Sequence, residues 1–228
     1  MHSSDPYSFE QTPKTAARLQ QELRSQVITR FDGRTFARVT GADLALDKKR
    51  GLGIAGAVTF ALPGLEEIER NFVIGPLRFP YVPGLLSFRE GPLLIEALNG
   101  LKQPPELLMF DGQGLAHPRR LGLASHVALL LDLPGIGAAK SRLVGEYLEP
   151  DLSRGSWSPL LDQDETIGAV VRTRDRVKPI FVSIGHRIDL ETAIKLTLIC
   201  CDGYRIPKPT RIADHFVAEI KRERLTGS

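Results

Sequence analysis

Cysteine is nearly absent, with two residues in 228, and the two are neighbours, Cys200 and Cys201. Adjacent cysteines do not normally pair, so no disulfide framework is expected. Without further Cys or His at ligand spacing they make no zinc site. They read as reduced core thiols of a reducing compartment. There is one tryptophan, and no stretch approaches 18 consecutive apolar residues, so no membrane span is expected. The start, MHSSDPYSFE, is polar and acidic, unlike a secretory signal. No Walker or dinucleotide fingerprint carries a strand into a helix, which ranks a plain nucleotide-binding domain low. A cytoplasmic location follows as an expectation.

What the chain does contain is a core-forming share of apolar residues, 42%, and a small basic excess of +3 with a pI near 8.9. That share is ample for a buried core, and residues 1–228 read as a single domain. The charge is compatible with a polyanionic partner without requiring one.

Element signals run in order. Residues 1–11 read as loose. Thr12-Pro13 opens a helix that places Ala16, Leu19, Leu23 and Val27 on one face and packs on the sheet. Residues 37–46, 52–62 and 67–74 read as an antiparallel meander, the first ending at Asp43. The segment RFPYVPGLLSFREGP holds Tyr81 in a stiff loop between two prolines. Ser87 caps a helix with Leu93, Leu94, Ala97 and Leu98 inward, stopped at Pro104-Pro105. Residues 106–110 form a buried parallel strand, 121–131 a helix and 135–139 a strand, joined by crossovers. Residues 141–157 read as irregular, 167–173 and 179–182 as strands, 190–201 as a helix, RIPKPTR as a linker and 212–224 as a last helix. Three antiparallel strands followed by alternating helices and parallel strands give an α/β, ribonuclease H-like fold: a mixed central sheet with helices on both faces.

Asp43 and Asp111 each follow an apolar strand, the position where open α/β sheets bind ligands, and Glu90 on the helix between can join them. Hard oxygen donors without His or Cys favour Mg²⁺, with Mn²⁺ as substitute, and such a cluster suits phosphodiester hydrolysis. Taken singly, Asp111-Gly112 is also a turn dipeptide and Asp43 can cap a turn. Lys140, at a strand end, can hold a phosphate or stand exposed. His117 can donate to a phosphate or steer water, whereas His126 reads as a packed histidine. Tyr81 can wedge between bases or lie buried under its loop. Gly84, Gly112, Gly114 and Gly122 allow close approach of a ligand or simply serve turns. Arg89, Arg119, Arg120, Arg142, Arg205, Lys208 and Arg211 read as a phosphate-binding surface or a solvated face.

FPYVPGLLSFREGP, FDGQGLAHPRRLGLASH, GIGAAKSRL, GHRID and GYRIPKPTRIAD, in this order and spacing, resemble the endonuclease V family, and GADLAL fits its first acidic strand. The resemblance covers about residues 15–217. It implies a divalent-metal nuclease that nicks deoxyinosine-containing DNA at the second phosphodiester bond 3′ to the lesion, leaving 3′-hydroxyl and 5′-phosphate ends. Asp43 and Asp111 would bind metal with Glu90, Tyr81 would be the wedge, and His117 and Lys140 would lie at the lesion and scissile phosphate. Asp214, with His215 as alternative, would complete the catalytic set, and Gly84, Gly112, Gly122, Arg89 and Arg119 would contact substrate. Leu46 replaces an aromatic and Ala138 a valine common in the family. The alternatives are an inosine-specific endoribonuclease acting on RNA, and a non-catalytic lesion-binding module. Nothing in the sequence asks for more than a monomer.

Overall fold

A computed structural model describes Phe9 and residues 11–225. Its centre is one eight-stranded sheet in the order β3-β2-β1-β4-β5-β8-β7-β6. Strands β1 (Arg38–Asp47), β2 (Leu52–Ala61) and β3 (Glu67–Pro76) form the antiparallel meander. β4 (Leu108–Phe110) then runs parallel to β1 and to β5 (Gly135–Ala139), and β8 (Ile180–His186) returns antiparallel beside β5. The hairpin β6 (Trp157–Asp162) and β7 (Glu165–Val171) closes the far edge. Helices α2 (Leu86–Asn99) and α3 (Leu123–Leu131) cover one face, through Leu94, Leu98, Phe110, Ala124 and Val127. α4 (Leu190–Cys200) and α5 (Lys208–Leu225) cover the other, through Val39, Met109, Ile194, Phe216 and Val217. This is the ribonuclease H-like layering that the element order implies. Among the described residues no helix is long and apolar enough to cross a membrane. Cys200 and Cys201 are buried and free, and burial pushes both thiols up to about 12.

Several sequence expectations change. β1 does not end at Asp43. Asp43 pairs with Gly56 across β2, so the antiparallel ladder carries β1 on to Asp47 after its parallel partner β4 has ended at Phe110. Thr12 does cap α1 (Pro13–Leu23), but α1 packs on the turn before α2, against Phe79, Leu85, Phe88 and Leu121, and not on the sheet. Ser87 is no cap; it lies inside α2, where its hydroxyl meets His126 Nδ1 at 2.9 Å. α2 stops at Asn99, with Gly100 as its C-cap, before Pro104 is reached. Trp157–Asp162 is a strand where irregular chain was expected, and β8 runs on to His186. The KPTR part of the supposed linker is the first turn of α5. The loose 1–11 segment falls mostly outside the described residues, but Phe9 packs its ring against Phe88 and His126.

The start of α5 crosses β1 at Gly41, where an added Cβ would lie 2.1 Å from the Pro209 carbonyl oxygen. This approach seats α5 beside Asp43, two residues further on the same face. Backbone cannot yield as a side-chain tip can, so Gly41→Ala should lower unfolding free energy by about 3 kcal/mol. Urea denaturation measures it, and an unchanged midpoint would show that α5 is not held at this contact.

Candidate active site

The strand register assembles the polar groups. β1 and β4 pair from Thr40↔Leu108 to Ala42↔Phe110, so Asp43 and Asp111 are the next residues beyond the parallel ladder, level with each other. β4 pairs with β5 through Phe110↔Gly137, which sets Asp111 level with Ala138. Lys140, two residues on, therefore shares a face with Ala138. Its Nζ lies 2.5 Å from Asp111 Oδ2 and 3.8 Å from Asp214 Oδ2. Asp214 arrives on α5 by way of the crossing at Gly41. His215 beside it is exposed, so of the two it is Asp214 that turns toward the cluster. Glu90 approaches from α2, close enough for the Asp43 charge to act on it.

Four carboxylates share one ammonium, and their protonation shows the imbalance. Burial, then the charges of Asp214 and Asp111, push Asp43 up to about 7, against the Leu44 amide and Lys140. Burial and the Asp43 charge push Glu90 up to about 8, against Arg89. For Lys140, burial pulls its pKa down but is outweighed by the hydrogen bond to Asp111 and the surrounding acids, and the net direction is upward. Among the described residues no three His, Cys, Asp or Glu side chains stand ready as a coordination sphere, since Lys140 lies against Asp111. The chemistry of the donors nevertheless fits a hard divalent cation: only carboxylate oxygens are offered, and two carboxylates are held protonated near neutrality for lack of positive charge.

Beside the cluster opens a cavity of about 460 Å³, within the range of about 300–1,000 Å³ usual for small-ligand sites. Asp111 and Lys140 belong to its wall, as do Tyr81, Gly84, Gly112, His117 and Gly122. Tyr81 is 70% exposed, so it does not lie buried under its loop. The loop behind it is tightly held. Gly84, at φ +77°, turns its carbonyl to three donors: Gln20 Nε2 at 3.1 Å, His117 Nε2 at 3.1 Å and Arg119 Nη2 at 2.6 Å. Arg89 Nη1 donates to the Phe79 carbonyl at 2.5 Å, at the loop's other end.

These bonds redefine several residues. His117 Nδ1 accepts from the Arg119 amide at 3.1 Å, so Nε2 carries the proton donated to Gly84, and both ring nitrogens are engaged within the chain. Burial, then the neighbouring Arg119 charge, hold it down to about 4, hence neutral at working pH. In this structure it supports the loop and has no donor left for a phosphate. Arg89 and Arg119 likewise hold the loop. Arg120 pairs with Asp162 and Glu165, and Arg205 donates to the carbonyls of Lys140, Lys178 and Pro179. Arg142 bonds the Gly145 carbonyl, Lys208 lies 3.7 Å from Asp202, and Arg211 stacks on Tyr204. The basic set of the sequence is thus largely internal bracing, because each long side chain finds a carbonyl, carboxylate or ring nearby. Of the glycines in the wall, Gly84 needs its positive φ and Gly122 abuts the Gln113 carbonyl, while Gly112 has room for a methyl group.

Two functional neighbours escape the sequence reading. Gln20 lies on the buried face of α1, binds the Gly84 and Leu121 carbonyls and accepts from Arg119 Nε at 2.6 Å. Its signal was available: a polar residue between Leu19 and Leu23 on an apolar stripe. Gln113, inside DGQG, also lines the cavity, and no periodic pattern marks it.

Residues 21–215 match the family model described as Endonuclease V. The endonuclease V of Nostoc sp. is 44% identical over 215 residues, spanning 94% of this chain and 97% of the relative. The crystal structure of endonuclease V from Streptomyces avermitilis superposes with a TM-score of 0.91 at 43% identity, covering 95% of this chain and 96% of the other. That of Ciona intestinalis, in complex with a 24mer DNA containing an inosine followed by a ribo-adenosine, gives 0.79 at 28% identity, covering 92% and 98%.

His117 and His126 are both buried and both held down to about 4, burial being the first cause in each. Unfolding frees them to titrate near 6.5, so the stability they carry is full above that pH and is lost as pH falls toward 4. Urea midpoints should therefore fall between pH 7 and pH 5, by roughly 2–4 kcal/mol in sum. The loss should shrink in His126→Gln, and a pH-independent midpoint in the wild type contradicts the neutral clamp.

Proposed function

We propose that this chain, which belongs to the endonuclease V family and is a nuclease, recognises deaminated bases, chiefly deoxyinosine in DNA, and hydrolyses the second phosphodiester bond 3′ to the lesion. The products are 3′-hydroxyl and 5′-phosphate ends, and the role is DNA repair by a cytoplasmic, single-domain monomer. The observation that carries this reading is the sharing of Asp111 and Lys140 between the carboxylate cluster and the cavity. A base held in the cavity lies beside the groups that act on its strand.

Asp43, Glu90 and Asp111 would hold Mg²⁺, or Mn²⁺ in its place. The ion supplies Lewis-acid activation and neutralises charge on the phosphate. The chain's own residues do the rest. Lys140, already cationic between Asp111 and Asp214, presents a point charge to a phosphate oxygen. Asp214 keeps that ammonium at the cluster. Exposed Tyr81, on a loop tied at Phe79 and Gly84, enters the gap left by the displaced base. Gly84, Gly112 and Gly122 leave the cavity wall open to the base edge.

RNA is the second reading, favoured by one observation: the strand bound by the Ciona protein carries a ribonucleotide after its inosine. Matched inosine-containing DNA and RNA strands, with the cut mapped on each, decide between them. A protein that binds both and cuts neither with Mg²⁺ or Mn²⁺ present is a binding module.

Asp111→Ala should lose about 10²-fold or more in nicking while lesion binding persists. Full activity in that variant removes the metal assignment. Tyr81→Ala should reduce discrimination between inosine and adenine duplexes roughly tenfold, the scale of one lost stacking contact. Mg²⁺ or Mn²⁺ should raise the melting temperature more at pH 8 than at pH 6, since Asp43 and Glu90 must be ionised to bind it. A pH-independent shift, or an equal one in Asp43→Asn, rejects that site.

A further inference from the structure

Gln113 stands in the cavity wall between the Asp111 turn and the residues that follow Lys140. It is only 9% exposed. Its Nε2 donates to the Ser141 carbonyl at 2.9 Å. That bond fixes the amide, because a flipped carboxamide would set its oxygen against the carbonyl oxygen of Ser141. The free end is therefore the acceptor, Oε1. It is sealed from solvent and has no partner. The other buried atoms without a partner among the described residues belong to Arg38, Arg89, Thr197 and Arg211, none of which lines this cavity. A bare buried carbonyl is unfavourable until something donates to it.

We propose that Gln113 is a specificity-determining residue whose side-chain carbonyl accepts a hydrogen bond from the ring N–H of a lactam base in the cavity. This rests on the reading above, that the lesion base enters there. Hypoxanthine carries such a hydrogen on N1. Adenine has a lone pair at the same atom, so its N1 would face Oε1 acceptor to acceptor and leave both unpaired. Deamination of adenine turns that acceptor into a donor, and a fixed acceptor in the wall reads this change. The same rule admits xanthine and uracil and rejects cytosine. It does not by itself exclude guanine or thymine, which also carry a ring N–H; their rejection belongs to other contacts or to the stability of their own base pairs.

The test compares wild type with Gln113→Met on duplexes that differ in one base: hypoxanthine, 1-deazahypoxanthine with C–H in place of N1–H, and adenine. Binding is measured with a chelator present, so that no strand is cut. Wild type should favour hypoxanthine over the deaza base about tenfold, the scale of a buried hydrogen bond lost with its partner left bare. Gln113→Met should bind the two alike. A merely structural role for Gln113 would weaken both and leave their ratio untouched, which overturns the inference. A wild-type ratio of one overturns it without any variant. Should Gln113→Met not fold, Gln113→Asn, which draws the oxygen back by one methylene, is read in the same way. If wild type fails to prefer hypoxanthine to adenine, it is the assignment of the cavity to a lesion base that falls. If that preference stands and the deaza ratio ignores residue 113, only the role of Gln113 falls.

Discussion

Asp111 and Lys140 meet at 2.5 Å where two parallel strands end, and the other acids are gathered around that contact. β1, β4 and β5 run in one direction and in register, so their carboxyl ends deliver Asp43, Asp111 and Lys140 to one level. α5 adds Asp214 and α2 adds Glu90 from opposite faces of the sheet. Crowding like charges in a half-buried place opposes folding, and Asp43 and Glu90 register it in their raised affinity for protons. A site that holds more negative charge than the fold alone favours is preorganised for a cation and for the phosphate it brings.

The second constraint is the Gly84 carbonyl. Three side chains from three separate segments converge on it: Gln20 from α1, and His117 and Arg119 from the turn before α3. The short loop that displays Tyr81 is therefore stiff because of its anchors as well as its prolines. This explains why a neutral buried histidine and two arginines stand next to a nucleic-acid site without facing the solvent. They stabilise the shape that does the recognising.

Much of this was legible in the sequence. The apolar runs ending at Asp111 and Lys140, and the two-proline frame of Tyr81, state their positions through local chemistry. The rest was hidden where tertiary context overrides local signals. Pro159 argued against a strand, yet β6 is the sheet's edge, where proline is tolerated. The turn at Gln163 and Asp164 has positive φ at both residues without a glycine to announce it. Lys208-Pro209 read as linker, although proline suits the first turn of a helix. Asp43 looked like a strand end because the sequence shows where apolar residues stop and not where an antiparallel partner continues. The arginines were ambiguous for a plainer reason: charge is visible in a sequence, but the carbonyl it will meet is not.

The continuation of β1 past Asp43 divides the site mechanically. Asp43 is carried by a strand laddered to β2 on both sides of it, from Arg38↔Ala61 to Asp47↔Leu52, so its backbone can move only if the meander opens. Asp111 rides on a turn tied down by single bonds, from the Gly114 amide to Ser183 Oγ and from Gln113 to Ser141. One jaw is an anvil and the other is sprung. Elastic adjustment to anything gripped between them therefore falls on the Asp111 side, which is also the side that forms the cavity wall, so a squeeze at the acids is transmitted to whatever the cavity contains.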